Sequence, residues 1–251
     1  MHEQIEFVKG KNCSTRYNLP PIKNVGFMTQ SLSLPSFTER IKTLADQLNW
    51  DCRASALTTG SLILNHLSSD RILLRAMVEN LIDDLDLFPL CERYDFFDKL
   101  MIYKDPFERF KIRMSIFSPF ISNRPHFHRW SYVAMILKGR YVQSIFGRES
   151  EFSDASFDAF QPMLVHEVSA DAPYFLHHSC VHAVKAESGT VSLLLQGPPQ
   201  KDRFWVIDQK IERRWWEYGS ELETTDEKQR KQISRERLVE LINFLISEKV
   251  I

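Results

Sequence analysis

Cysteine is scarce and scattered: Cys13, Cys52, Cys91 and Cys180 show no C-x-x-C spacing, so neither a disulfide framework nor a zinc knuckle is expected. They read as reduced thiols. No apolar run reaches the roughly eighteen residues of a membrane span. The opening Met1-His-Glu-Gln-Ile-Glu lacks the basic and apolar regions of a secretory signal. The expectation is a cytoplasmic protein without a membrane partner. Neither sign of charge dominates: 32 Lys plus Arg stand against 33 Asp plus Glu, a net charge of -1. That removes the electrostatic case for nucleic acid or an anionic membrane and leaves a small-molecule substrate as the expected partner. Internal repeats and low-complexity tracts are also absent.

What the chain has is a pair of histidines one residue apart. His126-Phe127-His128 opens a β-rich run that turns at Gly139. Side chains alternate along a strand, so the two imidazoles share a face about 7 Å apart and can converge on one ion. Neutral imidazole suits zinc, copper, iron and nickel. About fifty residues later His177, His178 and His182 offer a third ligand from a neighbouring strand.

At 251 residues the chain has room for one large domain, or a barrel with a helical appendage. Residues 36 to about 100 read as helical. Ser36 precedes an apolar stripe with Glu39 three positions on, in the manner of a capping box. A second pattern runs from Ala56, and a third follows Asp70 with Ile72, Leu73, Met77, Leu81 and Leu85 on one stripe. The period changes near Pro106. Phe110 to Phe117 alternates, and strands are expected at 130–137, 141–146, 158–168, 174–176, 181–185, 190–195 and 203–207, with a hairpin at Lys138-Gly139. Ser234 caps a final helix carrying Leu238, Leu241, Ile242 and Leu245. The domains expected are a helical region over 1–104, a β-barrel over 105–217, and a charged linker with a C-terminal helix over 218–251.

With the histidines on strands, residues 119–199 resemble the cupin superfamily. Its first motif reads His-x-His, three or four residues, Glu, six residues, Gly. Here His126-x-His128 leads after three residues to Tyr132, and six more residues lead to Gly139. The spacing survives and the glutamate does not. In the second motif Pro173, five residues before His178, fits the usual proline. His182 and the Thr190–Pro199 stretch look more like the cysteine-dioxygenase-type branch. His182 is favoured over His178 because it falls inside a regular strand, and a ligand is better held on a rigid element.

The resemblance implies a cupin-like double-stranded β-helix (jelly-roll) barrel with an N-terminal helical region and a C-terminal helix. His126, His128 and His182 would hold Fe(II), or another divalent first-row metal, in a mononuclear non-haem oxygenase or dioxygenase acting with O2 on a small polar metabolite. Three neutral ligands leave the ion its full charge, which favours anionic substrates. A redox-inert lyase, isomerase or hydrolase and a non-catalytic ligand-binding cupin are the alternatives. Tyr132 shares the parity of the two histidines and reads either as a proton donor or as a core tyrosine. Arg113, Arg140 and the less well placed Arg129 are candidate clamps for a substrate carboxylate. Cupins commonly pair, and the amphipathic tail leaves a homodimer open.

Overall fold

The computed structural model describes residues 34–118, 124–152, 156–170 and 172–251. The chain begins there with three helices, α1 (Leu34–Gln47), α2 (Arg53–Ser68) and α3 (Arg71–Asn80). Ser36 lies inside the first turn of α1 and is not its cap, because the helix starts two residues earlier. Asp70 does cap α3, its carboxylate accepting from the Leu73 amide at 3.0 Å. Leu73, Met77 and Leu81 are buried as the stripe requires. Ile72 and Leu85, 61% and 85% exposed, are not: Ile72 lies beside the stripe and Leu85 lies beyond the helix end.

The helical reading stops short of residue 100. Strands β1 (Glu92–Arg93) and β2 (Phe97–Lys104) precede β3 (Lys111–Phe117), and β2 pairs with it antiparallel. The strands that follow are β4 (Tyr132–Lys138), β5 (Arg140–Arg148), β6 (Leu164–Ser169), β7 (Tyr174–Leu176), β8 (Cys180–Ala186) and β9 (Val191–Gln196). The expected strand at 158–168 is a short 3-10 turn at Phe157–Ala159 followed by β6. A hairpin of β10 (Arg203–Asp208) and β11 (Arg213–Tyr218), a capped helix α4 (Thr225–Lys231) and α5 (Arg235–Ser247) complete it. Among these, β11 and α4 were not foreseen.

Strand order decides the architecture. The larger sheet runs β1-β2-β3-β9-β4-β7 and the smaller runs β6-β5-β8. His126 extends the smaller sheet by pairing its backbone with His182 of β8 on one side and Val206 of β10 on the other. The β3-β9-β4-β7 order facing a His126 segment-β8-β5-β6 order is that of an eight-stranded jelly roll of two Greek keys. The fold is therefore cupin-like.

The two faces of the larger sheet are chemically different. Ile112, Met114, Val133, Leu193 and Leu195 point away from the smaller sheet into one core with Phe37, Ile41, Ile63, Leu64, Leu67 and Leu74 of the helices. Leu238, Leu241 and Leu245 of α5 join that core, so the amphipathic tail packs on its own sheet. Gly60 lets α2 approach: a Cβ there would sit 2.8 Å from Val133 Cγ2. The opposite face looks between the sheets, where Tyr132, Ala134, Ile136 and Leu194 meet Tyr141, Ile145, Val168 and Val184 of the smaller one. Gly139 turns the β4–β5 hairpin at φ +77°, the left-handed region that glycine enters without strain.

Candidate metal centre

His126 and His182 oppose each other directly. The His126 amide donates to the His182 carbonyl at 2.9 Å, and the His182 amide donates back at 2.8 Å. That reciprocal pair fixes both backbones, and alternation brings His128 to the same side as His126. Ligand nitrogens of His126, His128 and His182 all lie within 4.8 Å of one another. His128 Nε2 is 2.9 Å from His182 Nε2, and the ring centroids of His126 and His182 are 4.6 Å apart.

The outer nitrogens are anchored. His126 Nδ1–H donates to the Arg124 carbonyl at 2.8 Å, leaving Nε2 with a free lone pair. His182 Nδ1 lies 3.3 Å from the side-chain amide of buried Gln143. The His128 ring stacks on Trp130 at 4.7 Å and meets the edge of Tyr132 at 5.2 Å. Burial drives the His126 pKa down to about 4, with the Arg113 charge adding to the effect. Burial also holds His128 and His182 well below the ordinary imidazole range, helped by the neighbouring imidazoles. All three are neutral at physiological pH, the form that ligates a metal. The donor set fits a divalent first-row ion: three imidazole nitrogens converge, and two of the rings have their far nitrogen in contact with a polar group.

His178 stands outside this group. Its Nδ1 is 3.3 Å from Ser131 Oγ, its backbone amide donates to the same hydroxyl at 3.1 Å, and its carbonyl accepts from the His128 amide. His177 turns to Ser179 Oγ at 2.7 Å.

Arg113 projects between the sheets because the apolar set Ile112, Met114 and Ile116 takes the helix side of β3. Its guanidinium lies 4.7 Å from the Trp130 ring, its Nε is buried without a hydrogen-bond partner, and no carboxylate pairs with it among the described residues. Arg140 is elsewhere. It lies on the exposed β4–β5 hairpin, paired with Glu167 and Glu187, five residues along β5 from the Ile145 that opposes His182. At about 3.3 Å per residue that is about 16 Å away. Arg129 donates to the Lys201 carbonyl and pairs with Glu221.

Tyr132 is buried, 3% exposed, with its ring 6.3 Å from that of His182. Its hydroxyl bonds Tyr174, which in turn shares a hydrogen bond with Tyr141. Burial, with the Tyr174 neighbour adding to it, pushes the Tyr132 phenol well above its usual range, so it keeps its proton. Cys180 packs beside this group, and burial pushes its thiol up to about 11, which leaves little thiolate. Cys13 lies outside the described residues. Trp205 is core, at 3% exposure, whereas Trp215 and Trp216 sit on the outer strand β11 beneath arginines. Gln143 and Trp130 were missed. A lone glutamine or tryptophan on a strand has no spacing signal, and only the parity shared with a ligand-bearing strand could have singled them out.

No protein-family model matches this chain, and no curated protein matches it either. Solved structures do align with it. An RmlC-like cupin from Shewanella frigidimarina shares 14% identity over 45% of this chain and 86% of its own, at TM-score 0.34. KdgF from Halomonas sp. shares 14% over 43% of this chain and 84% of its own, at TM-score 0.33. An RmlC-like cupin from Desulfovibrio desulfuricans shares 21% over 43% and 89%, at TM-score 0.31. Similarity this low says nothing of activity, and the cupin-like assignment stands on strand order and on the three converging histidines.

Proposed function

We propose that this protein is a mononuclear non-haem iron oxygenase, acting with O2 on a small metabolite that carries a carboxylate. The observation that carries the reading is the juxtaposition of three neutral imidazoles, converging within 4.8 Å with no acidic ligand among them, and a guanidinium without a salt-bridge partner among the described residues that also projects between the sheets. Iron(II), when bound, supplies a centre at which O2 is reduced while the substrate is oxidised. The chain's own residues do the rest. Arg113, stacked on Trp130, keeps its edge free for a carboxylate, which it binds bidentately. The Tyr132 hydroxyl holds a proton beside His128 and His182, and its hydrogen bond to Tyr174 keeps it oriented. Leu176, Leu194 and Ala134 form an apolar wall that limits water.

A redox-inert centre is the second reading, favoured by the same donor set, since three imidazoles accept zinc as readily as iron. Metal analysis of wild type, His126→Ala, His182→Ala and His178→Ala, followed by O2 uptake after anaerobic loading with iron(II), separates the readings. Stoichiometric metal retained only by wild type and His178→Ala, with uptake on adding thiols or carboxylates, is the expected result. Metal bound without any O2 uptake transfers the site to Lewis-acid chemistry, and wild type that binds no metal leaves a ligand-binding scaffold.

A further inference from the structure

Hydrogen-bond accounting around His182 points to a residue that the three-histidine reading does not use. The Gln143 amide nitrogen lies 3.3 Å from His182 Nδ1, and His182 Nε2 faces His128 Nε2 at 2.9 Å. A glutamine amide exchanges its oxygen and nitrogen by a half-turn of its last torsion, at no steric cost, so the partners decide which way it points. With the NH2 group toward Nδ1, that nitrogen must accept. The ring proton then sits on Nε2, and the lone pair that would ligate an ion is lost. With the carbonyl toward Nδ1, the Nδ1–H donates to it and Nε2 offers its lone pair to the same point as His126 and His128.

The half-turn also sends the NH2 group away from His182, and the next side chain on that face of the smaller sheet is His166. Gln143 of β5 pairs directly with His166 of β6, and opposed residues share a face with Cβ atoms about 5 Å apart. His166 Nδ1 is buried and has no hydrogen-bond partner. In the tautomer protonated at Nε2 that nitrogen is an acceptor open to a donor.

We infer that Gln143 is the positioning residue of the metal centre: its carbonyl holds His182 in the Nδ1–H tautomer, and His166 holds Gln143 by accepting from its NH2 group. The tautomer change moves one proton from Nε2 to Nδ1 of a neutral ring and needs no other reactant. The inference rests on the metal reading above, and carbonyl or carboxylate support of a ligating imidazole is worth about 10–100-fold in metal affinity.

The test is titration of the full chain with zinc(II), in wild type, Gln143→Leu, Gln143→Glu and His166→Phe, with long-range 1H–15N imidazole spectra of the zinc-loaded protein. The expected result is affinity lower by about 10–100-fold in Gln143→Leu and restored in Gln143→Glu. His166→Phe should show a smaller loss that adds nothing on top of Gln143→Leu. The His182 ring should carry its proton on Nδ1. Because Gln143→Glu keeps the polar group, it answers the question even where Gln143→Leu fails to fold. Wild-type affinity in a folded Gln143→Leu, or a proton on Nε2 of zinc-loaded His182, overturns the inference and leaves the metal reading standing. Wild type that binds no zinc overturns both.

Discussion

Arg113 carries a charge that no carboxylate pairs with directly among the described residues, and burial pulls its pKa below the usual guanidinium range. Such a group is costly, and replacing buried charge with a well-packed apolar side chain commonly stabilises by about 1–4 kcal/mol. Arg113→Met is therefore expected to raise the thermal midpoint while weakening binding of carboxylate substrates. A variant both less stable and equally active would show that the arginine is structural. Part of this was legible from the residues alone. Alternation on β3 put Arg113 opposite Ile112 and Met114, but the chain could not say which of those faces met the smaller sheet. Arg140 misled because its acidic partners, Glu167 and Glu187, lie 27 and 47 residues away and meet it only after the strands pair. The His-x-His pair and the glycine after it were legible because ligand spacing and a tight turn are both local. Gln143 was not, since its role depends on a neighbour 39 positions distant.

Packing of α2 on the larger sheet sets two opposing effects against each other at Gly60. In a helix interior, Gly→Ala ordinarily gains about 1 kcal/mol. Here the added methyl meets the Val133 side chain at 2.8 Å, and overpacking against a β-branched residue on a central strand costs about 1–3 kcal/mol. The overlap should win, so Gly60→Ala is expected to lower the thermal midpoint, and an increase would mean that the helix slides freely over the sheet. Most strands from β3 onward could be read from alternation, because each has one face on the helices or on the opposite sheet. The β10–β11 hairpin was half hidden. Arg213-Arg214-Trp215-Trp216 does not alternate, since its tryptophans lie under arginines at the edge of the sheet and do not divide cleanly into inside and outside. β1 is too short to carry a period, and β2 is buried on both faces along much of its length.

For the molecule as a whole, the buried imidazoles couple folding to pH. His126 and His178 take up a proton near 6.5 when unfolded and only near about 4 when folded. Between those values the unfolded chain binds more protons, so stability falls as pH drops from 6.5 toward 4, and the part contributed by these two histidines is fully lost below that. Urea midpoints measured across this window should decline in wild type and decline less in a His126→Gln/His178→Gln double variant; parallel curves would remove the histidines from the account. Reciprocal pairing of His126 with His182 also bears on time. Imidazoles that meet at 2.9 Å come from positions 54 residues apart, and the entropy of closing so long a loop is lost before that contact rewards it. A centre assembled after the rate-limiting step cannot hasten it. Zinc added during refolding should leave the folding rate unchanged and slow only the escape from the native state, making the three histidines a latch on a door that the strands have already closed.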